Sequence, residues 1–130
     1  MGSGGKGEHS MKIIFTTSGW GEEAPLDPRF GRAAGFLLYD SDDRSFQPVD
    51  NIEGADSGLG AGIQAAERVA KAGADVVVTG HCGPKAFRVL HAAGVKVFNT
   101  EAATVADALD LFRAGRLLEA TEPDVDGHWS

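Results

Sequence analysis

The sequence predicts a three-layer α/β domain, a mixed sheet with helices on both faces. Three observations carry this. Short runs of β-branched and aromatic residues recur along the chain, and helix-period stretches alternate with them only in the second half. The run at residues 75–79 (DVVVT) lacks the polar alternation of a one-faced strand, so it is expected to be buried on both faces, as in a parallel sheet. The order strand, strand, strand, helix, strand, helix, strand, helix then implies an antiparallel opening followed by β-α units. A length of 130 residues suits one such domain and makes two independent cores improbable.

Taken in order, residues 1–10 (MGSGGKGEHS) are Gly/Ser-rich with no apolar centre. They are expected to be a disordered, non-natural leader, not a signal peptide, with the natural start at Met11. Residues 12–17 (KIIFTT) read as a buried first strand, and 18–32 as a Gly/Pro-rich connection containing PLDPRFGR. Residues 35–40 (GFLLYD) and 44–49 (RSFQPV) read as a hairpin whose second strand, carrying Pro48, takes an edge position. An acidic, glycine-rich segment at 50–62 leads into a helix at 61–72, with Ile63, Ala66, Val69 and Ala70 on one face and Gly73 at its C-terminal end. After the strand at 75–79, Pro84 suits the first position of a helix to about residue 93. A short strand at 95–98 follows, then a last helix capped by Asn99 or Thr100, with Val105, Ala108, Leu109 and Phe112 at helical spacing. The domain is expected to span residues 11–118, with 119–130 an acidic flexible tail.

Composition narrows the function classes. The formal net charge is −7, from 12 Lys plus Arg against 19 Asp plus Glu, which argues against a general nucleic-acid or membrane-surface binder. One cysteine cannot form an internal disulfide, which suits a reducing cytoplasmic compartment. The charge is unevenly placed, however. No carboxylate occurs between Asp75 and Glu101, whereas Lys85, Arg88, Lys96, His81 and His91 do.

Chemistry is expected first at Gly80, His81, Cys82, Gly83, Pro84 and Lys85, where a buried strand turns into a helix. Open α/β sheets place ligands there, and a helix amino terminus offers unpaired N–H groups to an anion. Cys82 there would tend towards the thiolate, and His81 would supply an imidazole, so both are candidate metal ligands. Against this, a lone cysteine is as often a small buried hydrophobe, and Cys-His alone is no structural zinc site. The second stretch is Arg29, Phe30, Gly31 and Arg32, two guanidinium groups that could clamp an anion or simply pair with Asp27 or Asp40. The glycine loop at 57–62 does not follow a strand and lacks a Lys-Ser/Thr ending, so a phosphate loop is excluded. No Gly-x-Ser-x-Gly elbow is present, and Asp40 and Asp75 lie at opposite ends of their strands, which speaks against a paired-carboxylate hydrolase.

Residues 11–40, with PRFGRA, and 60–98, with TGHCGPKAF, together resemble the dinitrogenase iron–molybdenum cofactor-binding domain family, the NifX- and NafY-like proteins. The resemblance covers nearly all of residues 11–118. It implies a ribonuclease-H-like α/β/α motif with three helices and a five-stranded mixed sheet whose second strand alone runs antiparallel. It also implies a non-catalytic, cytoplasmic carrier of an anionic metal–sulfur cluster, together with a protein donor or acceptor of that cluster. The His81-Cys82 pair points to the orange-protein branch, whose members hold a molybdenum–copper sulfide cluster; the alternative cargo is an iron–molybdenum cofactor precursor. The family's site then maps onto Arg29, Phe30, Gly31 and Arg32 on one wall and His81 to Lys85 on the other. Two further readings compete: a thiol enzyme or redox protein using Cys82, and a regulatory module without a ligand.

Overall fold

The computed structural model describes residues 11–19, 21, 23–27, 29–30, 35–50 and 61–120. Six strands and three helices form among them: β1 (Lys12–Thr17), β2 (Gly35–Asp40), β3 (Ser45–Asp50), α1 (Ala61–Lys71), β4 (Val76–Thr79), α2 (Pro84–Ala92), β5 (Lys96–Asn99), α3 (Val105–Arg113) and β6 (Leu118–Ala120). The expected leader, most of the glycine-rich segment and the tail beyond Ala120 lie outside the described residues.

The strands form one sheet in the order β3-β2-β1-β4-β5-β6. β1, β4 and β5 are parallel, which explains the unbroken valines of β4: Val76, Val77 and Val78 are all buried, alternating between the two faces. On one face Ile14, Phe36, Val77 and Val97 pack under Ala65, Ala66 and Val69 of α1 and Ala86, Phe87 and Leu90 of α2. On the other, Ile13, Phe15, Leu37 and Val78 pack under Val105, Ala108 and Leu109 of α3. The side chains on each helix come from one stripe, so the three layers follow from periodicity alone. α1 and α2 approach closely where Gly62 meets Ala86: a Cβ on Gly62 would stand 3.4 Å from the Ala86 Cβ.

Two expectations are corrected. The sheet has six strands, not five, and two of them, β2 and β6, run against their neighbours. β6 pairs antiparallel with β5, Val97 opposite Ala120, and carries the fold two residues past the expected boundary at 118. It is three residues long, with Leu118 and Glu119 exposed, so neither length nor a buried apolar run marks it in the sequence. The last helix is capped by Thr104, whose Oγ1 accepts from Asp107 N at 3.1 Å, and not by Asn99 or Thr100. Asn99 ends β5 and donates to the Gly80 carbonyl, while Thr100 Oγ1 accepts from Ala102 N.

Each helix is followed by a glycine in the left-handed region: Gly73 (φ 82), Gly94 (φ 81) and Gly115 (φ 73). Side chains resist that region through Cβ–carbonyl crowding. At the tip of the β2–β3 hairpin Arg44 adopts it too, at φ 58. Open space surrounds Gly94, so Gly94→Ala isolates the backbone effect. Its unfolding free energy in urea is expected to fall by about 1 kcal/mol; an unchanged midpoint with unchanged slope would contradict the conformation.

Candidate functional site

The parallel strands β1, β4 and β5 end together at one edge of the sheet, and the loops that leave them meet there. What joins them is a buried polar cluster. Thr16 and Thr79 lie side by side at the ends of β1 and β4, one residue beyond the Phe15–Val78 pair. Their hydroxyl oxygens are 2.9 Å apart, and Thr16 Oγ1 also donates to the Asp27 carbonyl at 2.6 Å. Asp27 N returns a bond to the Thr16 carbonyl at 2.8 Å. Asp27 Oδ1 accepts from Arg29 N at 3.0 Å, turning the chain sharply ahead of Arg29, and Ser18 Oγ donates to Oδ2 at 3.4 Å. Thr16, Thr17, Asp27 and Thr79 are the buried polar residues among those described, and all four stand at this edge.

Of the predicted arginine stretch, Arg29 and Phe30 lie against the predicted turn. Arg29 and His81 form a parallel bridge, and Phe30 N donates to the His81 carbonyl at 3.3 Å. Arg29 keeps its guanidinium outward, 62% exposed, with Nε 3.9 Å from Asp27 Oδ1. That is a loose pair, and solvent exposure keeps its worth small. Lys85 is exposed in the first turn of α2, and His81 is half-exposed. Gly83, the residue ahead of α2, is extended (φ −69, ψ 169), and no side chain caps the helix behind it. A Cβ on Gly83 would meet nothing within 4 Å, so the space over these first-turn amides is open. Uncapped amides, the positive end of the helix dipole and Lys85 together favour an anion there.

Two predicted residues turn inward instead. Cys82 is 3% exposed and sits in the apolar cluster with Ile14, Phe36 and Phe87. Phe30 is equally buried and stacks on Phe36, with ring centroids 5.7 Å apart. It anchors the loop rather than walling a pocket. Gly31 and Arg32 lie outside the described residues. Arg88 and His91 continue along α2 as an exposed row, with the His91 ring stacked on Phe87, and lead away from the turn.

Sequence reasoning missed residues 100–103. They adjoin the turn, with Thr100 N donating to the Thr79 carbonyl and Leu26 N to the Ala103 carbonyl. With Leu26, Gly80 and His81 they enclose a cavity of about 430 Å³. Glu101 is among its lining residues, so this part of the edge is less uniformly basic than the carboxylate-free run suggests. The available signal was the pair of apolar strands each ending in threonine, KIIFTT and VVVT, at one register.

At the far edge, Asp40 and Asp75 do share one end of the sheet, because β2 runs against β1 and places Asp40 opposite Lys12. Both serve local structure: Asp75 Oδ2 accepts from Lys12 N, and Asp40 Oδ1 from Asp42 N, each at 2.9 Å. Among the described residues no group of three or more His, Cys, Asp or Glu could hold a metal ion, and no helix is long and apolar enough to cross a membrane.

The strand order and the loops gathered at one edge define an α/β protein whose parallel strands end beside an uncapped helix amino terminus. The sequence matches the family described as dinitrogenase iron–molybdenum cofactor over residues 11–115, and the chain belongs to that family. The structure is similar to the apo form of the orange protein from Desulfovibrio gigas, with 43% identity, a TM-score of 0.86 and coverage of 90% of this chain and 98% of that one. It is similar also to a NifB-like protein of Thermotoga assigned to the DUF35 family (32% identity, TM-score 0.79, 90% and 99% covered). An uncharacterised protein of Methanocaldococcus jannaschii is 28% identical over 94 residues, 71% of this chain and 80% of that one.

Thr16→Val keeps the shape but leaves the Asp27 carbonyl and Thr79 hydroxyl short of a buried partner. It is expected to cost about 1–3 kcal/mol and to speed hydrogen exchange at the Asp27, Arg29 and Phe30 amides beyond that at α3. Uniform acceleration throughout the domain would show that the threonine pair does not specifically hold the loop.

Proposed function

We propose that the protein binds an anionic, molybdenum-containing metal–sulfur cluster at this edge and carries it without catalysing a reaction. One observation carries the reading: a main-chain bridge draws the Arg29 loop onto the Gly80–His81 turn, beside an open, uncapped helix amino terminus. Membership of the dinitrogenase iron–molybdenum cofactor family and likeness to the orange protein support a cofactor-binding or carrier role. Arg29, Arg32 and Lys85 supply positive charge, and the turn at 80–84 supplies N–H donors. A sulfide-rich anion can be held by such donors without a metal–protein bond.

His81 is the accessible metal-ligand candidate of the predicted pair. Cys82 would first have to leave the apolar cluster, and its burial also opposes a thiol enzyme, which needs a reachable thiolate. The orange-protein resemblance favours a molybdenum–copper sulfide cargo over an iron–molybdenum cofactor precursor. A cytoplasmic site of action and a protein donor or acceptor complete the proposal; neither nucleic acid nor membrane is a partner.

The test is reconstitution of the apoprotein with tetrathiomolybdate and copper, followed by desalting, metal analysis and visible absorption. Retained molybdenum and copper with a new charge-transfer band is the expected result; loss of all metal on desalting overturns the proposal. Gly83→Ala is expected to weaken retention about tenfold, or about 1.4 kcal/mol, by filling the space over the amides. Its fold should lose no more than about 1 kcal/mol. Cys82→Ser is expected to retain the cluster whenever it folds. A folded Cys82→Ser protein that binds none would assign the cargo to thiol ligation instead.

A further inference from the structure

Among the described residues the two faces of the sheet are covered unequally. α1 and α2 lie over one face, and α3, nine residues long, lies over the other. Between the C-terminal end of α3 and the β2–β3 hairpin this leaves a cleft of about 260 Å³. It opens at the end of the sheet where β1 begins, opposite the edge that holds the Gly80–Lys85 turn.

The cleft is lined by the apolar Met11, Ile13 and Phe112 with Tyr39, and by Ser41, Arg44 and Arg113. Arg113 comes from the last turn of α3, and Arg44 from the hairpin tip. Among the described residues neither guanidinium has a hydrogen-bond or ion-pair partner. Two like charges thus share one concavity, and no acid lines it among the described residues. The nearby carboxylates are engaged in the turn itself: Asp43 Oδ1 accepts from Ser45 N and Oγ, and Asp40 Oδ1 from Asp42 N. Arg44 moreover occupies a left-handed backbone position that glycine would fill without strain, so what it contributes there is its side chain.

We infer that this cleft is a second binding site, specific for a small organic anion with a flat apolar body and one carboxylate, sulfonate or phosphate group. The rings would lie on Tyr39, Ile13 and Phe112, and the guanidinium forks would grip the oxyanion from two directions. An apolar lining with two cations selects for both halves of such a molecule. A purely inorganic anion would leave the apolar lining wet, and a neutral aromatic would leave the arginines unpaired. The inference is independent of the cluster proposal, since no residue is shared.

The probes are 8-anilinonaphthalene-1-sulfonate and its uncharged analogue N-phenyl-1-naphthylamine, titrated by fluorescence against the intact protein. The sulfonate is expected to bind saturably, one per chain, and the neutral analogue at least tenfold more weakly. Arg113→Gln and Arg44→Gly should each raise the sulfonate Kd at least tenfold while changing the neutral probe less than twofold. Arg44→Gly also relieves the left-handed strain, so its thermal midpoint should hold or rise, which separates lost binding from lost folding. Non-saturable binding, an unchanged Kd in both variants, or equal weakening of both probes would each overturn the inference.

Discussion

The bond between the Thr16 and Thr79 hydroxyls governs how this molecule is arranged. It sits at 0% exposure, at the point where two parallel strands stop and their loops must begin. A buried polar pair left unsatisfied would be costly, and here the satisfaction comes from Asp27, whose main chain both gives to and takes from Thr16. The requirement to complete that pair pulls residues 24–27 and 29–30 down onto the sheet edge. Once they are there, Leu26 pairs with Ala103, Phe30 enters the core and Arg29 faces His81. The polar knot and the apolar anchor act together, so the site's geometry is a by-product of how the strand ends are closed.

Much of this was legible in the sequence because it is local. The valine run of β4, the hairpin, Pro84 at the start of α2 and the glycine after each helix depend on residue type and spacing alone. What was not legible depends on partners distant in sequence. β6 exists because β5 has a free side, not because LEA is a strand-forming run. Thr104 caps α3 because the Leu26–Ala103 pairing carries the chain past Thr100 before it can coil.

The site shows the same division. Glycines, the helix start and the basic residues were found from sequence, since their chemistry is written in their type. Which way Phe30 and Cys82 point was not, because an aromatic between two arginines and a cysteine in a turn read equally well inward or outward. The core decided both, with Phe36 offering a ring for Phe30 and the apolar cluster under α1 and α2 taking in Cys82. Glu101 escaped notice because it closes the carboxylate-free run in sequence, while the fold brings it beside His81.

The two rims of the sheet have a consequence for how copies of the protein meet. Strand edges are templates for further pairing unless they are short, interrupted or charged. β6 offers three residues with Glu119 at its middle, and β3 is interrupted by Pro48, which has no amide hydrogen to give. Among the described residues neither rim provides a long uninterrupted ladder on which a neighbour's backbone could zip. Side-by-side strand addition between copies is thereby disfavoured at both rims, which leaves the loop-bearing end of the sheet as the surface least committed to main-chain pairing.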